Sequence, residues 1–157
     1  MNEEVNYISY EEALSVYAKM IDASDGGFDG VRDEGGIRAA LEFVQNDMYY
    51  PNFSDKLCSL VYKFCSGHYF NDGNKRIALT LGAYFLYQNS YFWQATIFMR
   101  QMESIVYHVA ASNIDQDLLH RIMTCFMNGE DYDEELKIDI ANAMSKGELG
   151  VRGEDYE

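Results

Sequence analysis

The sequence predicts an all-α protein, a single-domain helical bundle around one central buried helix, with at most a short flap or strand pair. Three observations carry this. Apolar residues recur at helical spacing along most of the 157 residues. Proline occurs once, at Pro51, while the helix formers Met, Leu and Ala are frequent. One segment, Asn74 to Tyr87, is apolar nearly all round (Ile77, Ala78, Leu79, Leu81, Ala83, Tyr84, Phe85, Leu86), the pattern of a helix buried by its neighbours.

The first helix opens at a capping box, with Ser9 as N-cap and Glu12 three residues on. Ala13, Leu14, Tyr17, Met20 and Ile21 carry its apolar face to about residue 23. Ser24 to Gly36 is polar and glycine-rich, but Asp25, Asp29, Asp33 and Glu34 would repel a phosphate there. A structural interaction between Arg32 and Asp33 that holds the loop is the expectation. Ile37, Ala40, Leu41 and Val44 mark a second helix over about 34–47. Pro51 then forbids helix and pushes the residue before it toward an extended conformation. A third helix, capped by Ser54 or Asp55, runs to about Gly67 on Leu57, Leu60, Val61 and Phe64. Asn89 and Ser90 end the central helix, and the aromatic run Tyr91 to Phe98 reads as a short strand or connector. Helices follow over Arg100–Ala111 and Asp115–Asn128, the second stopped by Gly129. Asp133 to Lys146 keeps a thin stripe of Leu136, Ile140, Ala143 and Met144, and the chain from Gly147 on is expected to fray.

Composition excludes several classes. The net charge is −14, which argues against nucleic-acid backbones and anionic membranes as partners, since both require positive surface. Residues 130–157 hold ten acids against three bases, a solvating end or a contact for a basic partner. Cys58, Cys65 and Cys125 have no metal-ligand spacing; the first two, seven apart, suit the core of one helix face. An odd cysteine count, an acidic start and no run of about 20 apolar residues lead to the expectation of a cytoplasmic protein. His108 and His120 lack neighbouring ligands and are expected to be structural or exposed.

Chemistry concentrates in His68-Tyr69-Phe70-Asn71-Asp72-Gly73-Asn74-Lys75-Arg76, a polar turn between two helical patterns. A turn that opens a helix leaves backbone N–H groups unpaired, and the helix dipole favours an anion there. Gly73 removes a Cβ that would hinder close approach, and Lys75 and Arg76 add full charges. Asp72 is a hard oxygen ligand suited to Mg²⁺ beside phosphates. His68 has the side chain suited to a general base near neutrality. A phosphate cradle, a metal ligand and a base together indicate phosphoryl or nucleotidyl transfer. Gly-x-x-x-x-Gly-Lys-Ser/Thr is absent, so the turn is not a Walker A loop.

HYFNDGNKRIAL resembles the motif of the Fic/Doc family, His-x-Phe-x-Asp/Glu-Gly/Ala-Asn-x-Arg, met here by His68, Phe70, Asp72, Gly73, Asn74 and Arg76. Lys75 before Arg76, with Leu79 where a second Arg can stand, resembles the Doc-like (death-on-curing) branch, as does the pattern Gly-x-x-Gly-x-Arg-Asp-x-Gly over 27–35. The resemblance covers roughly residues 7 to 128. It implies a catalytic domain over 1–129, followed by an acidic C-terminal helix and tail over 130–157. It also implies that Tyr49 to Phe53 form a flap holding a target peptide in extended form; an ordinary aromatic-rich connection is the alternative.

The resemblance implies an ATP-dependent transferase acting on a hydroxyl of a target protein. His68 would accept the hydroxyl proton and Asp72 would hold Mg²⁺. The amides of Gly73, Asn74 and Lys75 would cradle phosphate, while the side chains of Asn74, Lys75 and Arg76 stabilise developing charge. Phe70 is expected to anchor the turn in the core. The Doc-like pattern implies γ-phosphate transfer, a target among translation components and a toxin restrained by an antitoxin. The alternatives are a Fic-type AMP-transferase and a non-catalytic module that binds a nucleotide or partner. The inhibitory pattern Ser/Thr-x-x-x-Glu-Gly/Asn of many Fic proteins is not met: Thr124 to Gly129 has Asn128 in place of the Glu.

Overall fold

The computed structural model describes residues 4–23 and 30–155, with side chains through 146. The chain folds as α1 (Tyr10–Ala23), α2 (Glu34–Phe43), α3 (Phe53–Ser66), α4 (Asn74–Gln88), α5 (Phe92–Ala110), α6 (Gln116–Met127) and α7 (Glu134–Asp155). The protein is all-α: among the described residues the only β pairing is one antiparallel bridge, Val31 to Phe70.

The α4 helix packs against α5, α3 and α1, burying Ile77, Ala78, Leu79, Leu81, Phe85 and Leu86. It shares the centre with α3, which is packed by α4, α6, α5 and α2 and buries Leu57, Leu60, Val61, Phe64 and both its cysteines. The thiols of Cys58 and Cys65 donate to the carbonyls of Gln116 and Val106, and burial pushes them up to about 12 and about 11. They remain thiols at neutral pH, as structural cysteines do.

Local signals set most helix starts. The Ser9 hydroxyl accepts the Glu12 N–H at 3.1 Å and the Glu12 carboxylate accepts the Ser9 N–H at 3.2 Å, the expected reciprocal box. The Glu12 carboxylate also takes the Tyr84 hydroxyl, which holds it below the usual carboxylate range and ties α1 to α4. Asp115 caps α6 by accepting the Leu118 N–H, and Gly129 follows that helix with φ +67°.

Four boundaries differ from expectation. The second helix ends at Phe43, short of 47, because Lys56 from α3 reaches back to it. Lys56 is only 2% exposed, and its ammonium donates to the Val44 carbonyl at 3.1 Å and the Asp47 carboxylate at 2.8 Å. A buried ammonium must be paired, and here the pairing terminates a helix. The third helix starts at Phe53 with Asn52 as N-cap, and Asp55 is its third residue, accepting the Asn52 N–H at 2.9 Å.

The third difference is the aromatic run from Tyr91 to Phe98. Tyr91 is an N-cap and the rest is the first third of α5. Ala95, Phe98, Met102, Ile105 and Val109 form one helical stripe, with Phe98 and Met102 fully buried, while Phe92 and Trp93 are exposed. Tertiary packing of that stripe overrides the β preference of aromatic residues. Fourth, α7 continues to Asp155, beyond Gly147; its stripe of Leu136, Ile140 and Ala143 is buried against α6 and α5.

Residues 44–52 do not form an extended flap. Asn46 folds them into turns, its side chain accepting the amides of Met48 and Tyr49 and its carbonyl accepting that of Tyr50. Tyr49 and Tyr50 lie against Phe43, with the Lys63 ammonium 4.0 Å from the Phe43 ring centre. Phe53 belongs to the core instead, stacked on Phe85 with centroids 4.8 Å apart.

Candidate active site

The helices α3 and α4 meet through the seven residues 67–73, and each side chain there has an identifiable support. Gly67 closes α3, and His68 comes next with φ +53°. The position after a helix C-cap favours the left-handed region, and glycine is its usual occupant. A histidine there is strained, and the packing of Tyr69 and Phe70 holds the strain. Tyr69 packs its ring against Gly67 and Gly36, where a Cβ at either would lie within 2.6 Å of the ring. Burial, and then the nearby Asp33, push its phenol up, so it stays protonated. Its carbonyl accepts the amides of Arg32 and Asp33 at 2.8 and 3.0 Å.

Phe70 is 1% exposed and stacks on Tyr17 of α1 with centroids 4.0 Å apart. The Tyr17 hydroxyl donates to the Asp72 carbonyl at 2.9 Å. The Asn71 amide donates to the Gly30 carbonyl, which adds a second strap from the segment before α2. The Asn74 side chain closes the turn on itself. Its Oδ1 accepts the Phe70 N–H at 3.1 Å and its Nδ2 donates to the Phe70 carbonyl at 2.9 Å. Gly73 is the N-cap of α4 at φ +79°, a conformation glycine adopts without steric cost.

His68, Asp72, Gly73, Asn74, Lys75 and Arg76 line one open cleft of ≈ 500 Å³, so all six residues singled out in the sequence come together. Cys65, Asn71 and Ala110 complete it. Ala110 comes from the far end of α5, and no local pattern could have placed it. Two expected roles change. The Asn74 side chain is tied to Phe70 through its Oδ1 and one Nδ2 hydrogen, which leaves a ligand its backbone N–H and the second Nδ2 hydrogen. The Gly73 N–H donates to the Asp72 Oδ1 at 2.8 Å and is also taken. Among the described residues, the N–H groups left open to a ligand are those of Asn74, Lys75 and Arg76, which open α4 ahead of its first ladder bond, Ile77 N–H to the Gly73 carbonyl.

The charges are arranged asymmetrically. Arg76 approaches the Asp72 carboxylate at 4.0 Å with both side chains partly exposed, a contact that solvent weakens. Lys75 has no ion pair among the described residues; its ammonium lies 5.4 Å from the Tyr107 ring centre. The His68 imidazole is exposed to the cleft and has no hydrogen bond among the described residues, so it can accept a proton from an incoming group.

A family model described as "Fic/DOC family" matches residues 7–86, from just before α1 through nearly all of α4. The chain belongs to the Fic/DOC family. The match takes in the turn, its straps from α1 and the segment before α2, and it ends before α5. A search of curated proteins finds no match. Fic/DOC proteins are typically nucleotidyl- or phosphotransferases that use ATP, usually with Mg²⁺. Among the described residues no helix is long and apolar enough to cross a membrane.

Away from the cleft, the glycine-rich loop lies partly outside the described residues, at 24–29. Asp33 makes no ion pair with Arg32 among the described residues; it caps α2 by accepting the Gly36 N–H at 2.9 Å. His120 bonds the Asp55 carboxylate and His108 bonds the Asn113 amide, so both serve structure.

Proposed function

We propose that this Fic/DOC protein is a Doc-like kinase that moves the γ-phosphate of ATP to a hydroxyl of a target protein, a translation component, as the toxin of a toxin–antitoxin pair. One observation carries the choice of phosphate. Leu79, at the position where AMP-transferring members have a second Arg, is 7% exposed on the buried face of α4. It offers no charge-assisted hydrogen bond to terminal phosphates held deep in the site. The cations instead stand earlier on the helix, at Lys75 and Arg76, on the cleft. The negative end of the triphosphate follows them, which brings the γ-phosphate toward His68.

In this reading His68 accepts the hydroxyl proton as the oxygen–phosphorus bond forms and the bond from γ-phosphate to ADP breaks. The α4 amides and the Lys75 and Arg76 side chains hold the transferring group. The single carboxylate of Asp72 beside a phosphate cradle fits Mg²⁺, which takes one or two carboxylates plus substrate phosphates. Bound there, the ion would neutralise developing phosphate charge. The net charge of −14 supports a protein target over a nucleic-acid one and a site of action away from anionic membranes.

With cell extract, ATP labelled at the γ-position is expected to mark the target and α-labelled ATP is not. Labelling from the α-position alone would assign AMP transfer. Asp72→Asn keeps an oxygen for the Gly73 amide, so the turn should survive. Calorimetry should show that the strengthening of ATP binding by Mg²⁺ is lost, and an undiminished Mg²⁺ effect would remove Asp72 from the metal.

A further inference from the structure

We infer that Tyr107 is a positioning residue, whose ring holds the Lys75 ammonium ready at the cleft without neutralising it. The inference rests on Lys75 being a phosphate-facing cation. Lys75 opens α4 and Tyr107 lies in the last turn of α5, so the contact exists only because the two helices pack side by side. The ammonium is 5.4 Å from the ring centre, within the range at which an aromatic face attracts a cation.

The ring is itself braced. It meets the His108 imidazole edge-on, with centroids 5.3 Å apart and planes at 86°. The His108 Nδ1 is 3.1 Å from the Asn113 side-chain amide. Below them, the Cys65 thiol donates to the Val106 carbonyl at 3.3 Å, which ties this end of α5 to the base of the cleft. Tyr107 is nevertheless 54% exposed.

The choice of a ring over a carboxylate has a physical consequence. Arg76, beside Lys75, leans toward Asp72, and part of its field is cancelled by that charge. A carboxylate under Lys75 would hold the ammonium more firmly but would compete with the incoming phosphate. A π face restricts the flexible four-carbon stem and leaves the full positive charge available. Ordering of the side chain is then partly complete before an anion arrives.

The test uses the full chain and three readouts. In the NMR spectrum the Lys75 ε-methylene protons should be shifted upfield by the ring in wild type and in Tyr107→Phe, and should return to ordinary positions in Tyr107→Leu. An ordinary Lys75 shift in wild type would overturn the inference whatever the protein's activity. Calorimetry with Mg²⁺ and ATP should show Tyr107→Leu about two- to five-fold weaker and Tyr107→Phe unchanged. In a Lys75→Ala background, Tyr107→Leu should cost nothing more; a full additional loss would mean the ring acts independently of Lys75. In transfer assays the loss should fall on the KM for ATP, with kcat retained. ATP binding with this pattern but no transfer would count against the kinase reading and leave the role of Tyr107 standing.

Discussion

His68→Ala is expected to fold, to bind ATP, and to lose about 10²–10⁴-fold in transfer rate, the usual worth of a positioned general base. The imidazole has no hydrogen bond among the described residues that the fold would miss, and it faces the cleft. Single-turnover transfer at the wild-type rate would exclude it as the base. The backbone sharpens the test. At φ +53° a residue with a Cβ costs about 1–2 kcal/mol that glycine avoids. His68→Gly should therefore be at least as stable as His68→Ala while equally inactive. Ser90 and Ser112 stand in the same left-handed position after α4 and α5, at φ +71° and +64°. A small polar residue thus meets the conformational demand elsewhere in this chain. Histidine is among the residues that adopt this region more readily, so the two variants, and not the backbone angle, decide whether the imidazole is there for chemistry. If both variants instead unfold by urea titration at sharply lower midpoints, His68 is structural.

Phe70→Ala should have the largest effect on stability, a loss of about 3–5 kcal/mol. That is a large part of what holds a domain of this size together. Asn74 clamps the Phe70 backbone N–H and carbonyl, and the ring is buried and stacks on Tyr17. Its removal leaves a void where α1, the Val31 bridge and the turn meet. Urea unfolding measures the loss, and Phe70→Leu should recover much of it. A change below about 1 kcal/mol would mean the void collapses or the ring packs less closely than the structure gives. The expected pair of results separates two residues that stand two positions apart. His68 affects rate with little effect on stability, while Phe70 affects rate only by way of stability.

Much of this was legible in the sequence because it depends on neighbours in the chain. The Ser9–Glu12 box, the Gly129 stop and the apolar faces of α1, α3 and α4 are local, and each was found where the pattern put it. The family motif was legible for the same reason, since its six residues lie within nine positions and one turn brings five of them to one cleft and sends Phe70 into the core. Tertiary structure alone decided the rest. A lysine in α3 ends α2, because a buried ammonium must find a carbonyl and a carboxylate wherever they lie. The aromatic run at 92–98 is helical because Phe98 and Met102 bury together, a gain that outweighs its strand preference. One local contact was missed as well: the Asn74 side chain bonds the Phe70 backbone four residues back, inside the same turn. Ala110 reaches the cleft, and Tyr107 reaches Lys75, from more than thirty residues along the chain. Sequence spacing specifies what one turn of backbone can bring together; which side chains are left free to act depends on partners that only the packed helices supply.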